Sequence, residues 1–179
     1  MERYRIQPDA AIYFCTFSVV DWLPVFVSDR PCQIIADSLR FCHEKKQLGV
    51  DAFVVMPTHL HLIVFDQAWD TTRLQQTLTE FRKFTGRQLA DFCSATLPAC
   101  FAAVLAEAAG EDRGRRFWQP TRHPEAITTE IFHQQKREYL HDNPRRKGLV
   151  VHPAHWRWSS ARWYDRQEDC DIPITPVSW

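Results

Sequence analysis

Alternation of apolar and polar positions divides the chain into a short series of strands and helices. Residues 10–20, AAIYFCTFSVV, are rich in β-branched and aromatic types and stop at Asp21, so they read as a first, well-buried strand. Ile34, Ile35, Leu39, Cys42 and Leu48 then recur at helical spacing. Ser28 or Asp29 caps this helix, Pro31 stands in its first turn, and Gly49 closes it. Two apolar runs follow, VDAFVVM and HLHLIVF, with only Pro57 and Thr58 between them, a link short enough to demand an antiparallel hairpin. From an Asp70 or Thr71 cap, the residues Leu74, Leu78, Phe81, Phe84 or Thr85, and Leu89 form one apolar stripe over roughly five turns of a second helix.

Beyond an Ala-rich stretch, RRFWQPTRH reads as a fourth strand interrupted at Pro120. Thr128 or Thr129 caps a third helix that runs to about Asp142, where Pro144 disfavours continuation. After Gly148, LVV predicts a short edge strand, and WRWSSARWY is too aromatic to be left wholly solvated, so it is expected to dock on the domain or on a partner. The order strand, helix, strand, strand, helix, strand, helix predicts an α+β domain with a ferredoxin-like antiparallel sheet and packed helices. The domain plan is one unit over residues 1–164, with an insertion at about 93–114 and a C-terminal tail at 165–179.

Composition agrees with one folded domain: 179 residues, 45% apolar and 25% charged. No leader peptide opens the sequence and no run approaches membrane-spanning length, so the expectation is a cytoplasmic protein with no membrane partner. The six cysteines are irregularly spaced without a C-x-x-C pair, as reduced, mostly buried thiols would be. A net charge of zero argues against a polyanion partner, but the positive charge is clustered. Arg82, Lys83 and Arg87 form one group, Arg113, Arg115 and Arg116 a second, and Lys136, Arg137, Arg145, Arg146 and Lys147 a third, while acid gathers at Asp165 to Asp171. Charge alone leaves solvated helix faces and a polyanion site equally open.

Candidate chemistry begins with His59 and His61. Two apart on a strand, they point to one face while Leu60, Leu62 and Val64 point to the other. A pair in register suits a divalent ion, though an H-x-H by itself is more often structural, and its neighbourhood decides. On the third helix Tyr139 and Asn143 are four residues apart and share a face. Taken singly, Tyr139 reads as an amphipathic aromatic and Asn143 as a capping residue before Pro144.

In combination, MPTHLHLIV, FWQ, YLHDNPRRKGLV and WRWSSARWY, in this order, resemble the REP-associated tyrosine transposases, of the single-tyrosine HUH superfamily, over most of residues 10–164. The resemblance implies that His59 and His61 are metal ligands, Tyr139 the nucleophile, and Asn143 the third ligand by its place four residues after the tyrosine. It implies Mg2+ or Mn2+ as cofactor and single-stranded hairpin DNA, from repetitive palindromic elements, as partner of a monomer or homodimer. Cleavage would give a 5′-phosphotyrosine link and a free 3′-hydroxyl, and strand transfer would reverse it without ATP, in keeping with the lack of a P-loop pattern. Arg82, Lys83, Arg115, Arg116, Arg145, Arg146 and Lys147 are candidates for holding the strand, with Trp118, Trp156 and Trp158 as stacking surfaces or core. The Ala-rich stretch and the acidic tail depart from the shared pattern. Two other readings are a non-cleaving module that binds structured single-stranded DNA or RNA, and a zinc hydrolase, for which no H-E-x-x-H occurs.

Overall fold

A computed structural model describes residues 11–110, 114–120 and 124–179. Its centre is a four-stranded antiparallel sheet of β1 (Ile12–Ser18), β2 (Leu48–Met56), β3 (His59–Asp66) and β4 (Glu125–Ile127), in the order β2-β3-β1-β4. With α1 (Asp29–Lys46) between β1 and β2, and α2 (Thr71–Thr96) and α3 (Ala99–Glu107) between β3 and β4, this is the predicted ferredoxin-like α+β arrangement. Helices α4 (Glu130–Arg146) and α5 (Ala161–Arg166) complete the chain. No helix among the described residues is long and apolar enough to cross a membrane.

The sheet separates two cores, as the strand alternation requires. Tyr13, Cys15, Phe17, Leu60, Leu62 and Val64 point toward α1 and α2, whereas Ile12, Phe14, Ile63 and Phe65 point toward α4, where Leu140 meets them. His59 and His61 belong to the α4 side by the same alternation. Asp51 is the exception: Val50 pairs with Val64 and Ala52 with Ile63, so Asp51 is an extra, unpaired residue that makes a bulge.

Several boundaries differ from expectation for local reasons. Helix α1 ends at Lys46 because Gln47 turns left-handed (φ 57°), and Leu48 and Gly49 open β2 instead of finishing the helix. The Phe65 ring lies on Gly49, where an added Cβ would come within 2.5 Å of it. Helix α2, capped by Asp70 onto the Arg73 amide, runs seven residues past Leu89, and the stretch read as an insertion becomes its last turn plus α3. That stretch buries Cys93 and Leu105 in the main core. Trp118 makes only an isolated bridge to Val19, and the fourth strand falls at Glu125–Ile127; residues 121–123 and Arg113 lie outside the described residues. Helix α4 continues through Pro144 to Arg146, because so late in a helix the missing N–H forfeits a single bond. Gly148 (φ 70°) then ends the turn, and LVV forms no strand.

The C-terminal segment docks, as its aromatic content predicts. Along the outer edge of β2, Val55 N–H donates to the Trp158 carbonyl, Ser160 N–H to Phe53 and Thr175 N–H to Val50. The stretch after residue 164 is therefore tied to the sheet, with Ile172 buried. All six cysteines are free thiols, four of them buried.

Candidate active site

On β3 the two histidine rings lie 4.7 Å apart at 72°. Each is fixed through Nδ1: His59 meets the Thr58 hydroxyl at 2.9 Å and His61 the Thr16 hydroxyl at 2.8 Å. Thr16 is the cross-strand partner of His61 on β1. In the tautomer that donates Nδ1–H to its threonine oxygen, each ring presents the Nε2 lone pair to a cation. Burial, with the charge of Lys147, pushes His59 down to about 4. Burial, with His59 and Lys136, pushes His61 down to about 3. Both rings are therefore neutral at neutral pH, the form a metal ligand requires.

Helix α4 brings Tyr139 across this face. Its ring centroid is 5.9 Å from His61 and 6.2 Å from Phe14, and Phe14 itself stacks on His61 at 5.1 Å. The phenol is 41% exposed, and the Arg146 guanidinium sits 5.2 Å from its ring. Asn143, one turn on and 4% exposed, donates its amide N–H back to the Tyr139 carbonyl at 3.1 Å. Beside them a shallow groove is lined by Gln135, Glu138, Tyr139, His141, Asp142 and Arg146.

The donor chemistry fits a divalent cation with two neutral imidazoles. Among the described residues no three His, Cys, Asp or Glu side chains gather as a metal cluster, and the third ligand that the resemblance implies is of another kind, the Asn143 amide oxygen.

The other sequence candidates divide into two places. Arg82, Lys83, Arg87, Arg115 and Arg116 converge on one groove of about 640 Å³ with Gly86 and Trp118. Arg82 spans it to the Trp118 and Gln119 carbonyls, and Arg115 pairs with Asp91. Arg145, Arg146 and Lys147 stay at the end of α4, Arg145 bound to Asp142. Trp118 (3% exposed) and Trp158 (6%) do not offer stacking faces: Trp118 donates its indole N–H to Thr85 inside the core, and Arg157 lies 4.5 Å over Trp158. Trp156 gives its N–H to the Val55 carbonyl.

The exposed indole near the histidines is Trp22, 55% exposed and 5.8 Å from His59. It follows Asp21 in a turn where both residues have positive φ (50° and 54°), a conformation disfavoured for non-glycine residues. Nothing in the local sequence announces it. Thr16 and Thr58 were equally silent, because a hydroxyl's role there depends on strand pairing.

The depressed histidines make stability pH-dependent. His141, pushed down to about 4 by burial and Arg137, joins His59 and His61. Each titrates near 6.5 when unfolded, so below that pH the unfolded chain binds more protons and stability declines toward pH 4. Without added metal, unfolding free energies from urea titrations should be level above pH 6.5 and fall below it, with a slope of up to ~1.4 kcal/mol per pH unit per histidine. His141→Gln should make that slope shallower.

Comparison with known proteins places the fold. No family model and no curated protein matches the chain. Among solved structures, a Deinococcus radiodurans R1 protein described as a putative transposase is 16% identical, covering 79% of this chain and 97% of its own, with a TM-score of 0.47. The REP-associated tyrosine transposase bound to a REP hairpin is 18% identical, covering 99% of this chain and 94% of its own, with a TM-score of 0.60. Over nearly its whole length, then, the chain has the fold of a REP-associated tyrosine transposase.

Proposed function

We propose that the chain is a transposase that cuts and rejoins single-stranded DNA at hairpin-forming repeats, with Tyr139 as nucleophile. The observation that carries this reading is the run of rings from His59 through His61 to a half-exposed Tyr139, on a fold shared with a hairpin-bound transposase. The Tyr139 oxygen attacks phosphorus, the P–O3′ bond breaks, and the phenolic proton passes to solvent at the exposed side of the ring. The leaving 3′-oxygen takes a proton from solvent, so the products are a 5′-phosphotyrosine and a 3′-hydroxyl. One phosphodiester replaces another, so a different 3′-hydroxyl can reverse the step and transfer the strand.

His59 and His61, with the Asn143 oxygen, are the ligands assigned to Mg2+ or Mn2+, which when bound supplies Lewis-acid stabilisation of the phosphate. Arg146, against the Tyr139 ring, supplies further positive charge at the same place. Trp22 offers the unpaired base a stacking face.

The groove of Arg82, Lys83, Arg87, Arg115 and Arg116 holds the hairpin backbone in this reading. Lys83→Ala with Arg87→Ala should weaken hairpin binding and flatten the log Kd against log salt slope by about 1.4 to 1.8, two phosphate contacts' worth. An unchanged slope in titrations across salt would remove the groove from the interface.

Labelled hairpin DNA with a single-stranded flank, incubated with the protein and Mg2+ or Mn2+, tests the whole. A covalent adduct is expected, with the mass of the attached peptide locating the link at Tyr139. Tight binding without any adduct, indifferent to chelator, would establish the non-cleaving module instead.

A further inference from the structure

Helix α4 carries Tyr139 and meets the sheet with few apolar side chains, Leu140 and Pro144 buried and Phe132 partly buried, beside the buried polar residues His133 and Asn143. Apolar burial is non-directional, whereas hydrogen bonds fix one setting of a helix. Two histidines, His133 buried and His141 half-buried, supply them. His133 Nε2 meets the Asp51 carboxylate at 2.8 Å, and eight residues on His141 Nε2 meets the Ser160 hydroxyl at 2.8 Å. Tyr139 stands between them.

Asp51, the bulge residue of β2, is fully buried. Its carboxylate also accepts from the Val177 N–H at 2.9 Å and the Tyr164 hydroxyl at 3.1 Å. On the far side of the His133 ring, Trp179 donates its indole N–H to Nδ1 at 3.2 Å. An indole nitrogen only donates, so Nδ1 accepts and the ring proton lies on Nε2, facing Asp51. A single neutral tautomer of His133 thus satisfies both neighbours.

We propose that Asp51, His133 and Trp179 form a latch, closed by the C-terminal segment, that seats α4 on the sheet and thereby sets the approach of Tyr139 to the scissile phosphate. The latch rests on the reading of Tyr139 as nucleophile. His133 is a positioning residue six positions upstream, about 9 Å along the helix axis. Displacements near 1 Å at a reacting group cost about 100-fold in rate.

Three full-length variants test it. His133→Gln keeps one donor and one acceptor, His133→Leu keeps bulk with neither, and Trp179→Phe removes the indole N–H alone. Adduct formation at saturating hairpin DNA should slow about 10- to 100-fold in His133→Leu and Trp179→Phe, with hairpin affinity unchanged. Amide exchange across residues 130–146 should quicken relative to α1 and α2. His133→Gln should recover most of both. Equal losses in the Gln and Leu variants, a loss of affinity in place of rate, or parental exchange in α4 would overturn the latch. If His133→Leu does not fold, Trp179→Phe, which leaves the His133 ring and its bond to Asp51 in place, decides. If the parent forms no adduct, the nucleophile reading fails while the exchange measurements still judge the latch.

Discussion

A Tyr139→Phe chain should bind hairpin DNA as the parent does and yield no covalent adduct, a loss of about 10⁴-fold or more on the scale of nucleophile removals. The substitution deletes one oxygen and keeps the ring that packs on His61 and Phe14, so folding and hairpin affinity are expected to survive. No described tyrosine stands ready to replace it. Tyr13 is fully buried on the opposite side of the sheet, among the α1 and α2 core. The Tyr164 hydroxyl is engaged with Asp51, and burial, with the Asp51 charge, pushes its ionisation well up. Tyr4 lies outside the described residues. Denaturing gels after a single-turnover incubation provide the measurement; an adduct of parental yield from the Phe chain would end the assignment.

His61→Ala should cost adduct formation about 10²- to 10⁴-fold, the several kcal/mol that a Lewis acid supplies to a phosphoryl transition state. The same variant should lose the heat of Mn2+ binding seen for the parent by calorimetry, with hairpin affinity retained. Thr16→Val is the finer probe. It leaves the imidazole in place but removes the hydroxyl that holds Nδ1, and losing such an orienting partner costs about 10- to 100-fold in metal affinity or activity. Full activity of His61→Ala in chelator would show that no ion on this histidine assists the reaction.

Much of the fold was legible because periodicity reports which face is buried. The alternation in HLHLIVF put both histidines opposite Leu60 and Leu62, and the two-residue link fixed the hairpin that aligns them. What eluded periodicity was anything set by a distant segment. Leu48 has helical spacing, yet Gln47 turns left-handed and Phe65 claims the space over Gly49. Trp118 and Trp158 look like stacking residues beside arginines, but whether an indole faces solvent is decided by Thr85, Gly86 and the β2 edge packed around it. Asp51 is a single carboxylate in an apolar run, and only the bulge, α4 and the returning C-terminal segment give it three partners, His133, Tyr164 and Val177. The basic residues show the same limit: charge along the chain separates Arg82, Lys83 and Arg87 from Arg115 and Arg116, and only the approach of Trp118 to Gly86 brings the two groups into one groove.

The covering of β2 by residues 158–160 and Thr175 bears on how copies of this chain can associate. An open sheet recruits further strands through its unpaired margins, and that is how many β-containing proteins polymerise or swap segments. Here the longest margin is already occupied by the chain's own return, with Trp158, Ser160 and Thr175 taking the backbone groups a newcomer would need. The opposite margin, β4, offers three residues. Sheet-to-sheet joining through β2 would first require peeling away the segment that carries Trp158 and ends at Trp179, so the geometry that seats the tyrosine helix also guards the protein against its own stickiest edge.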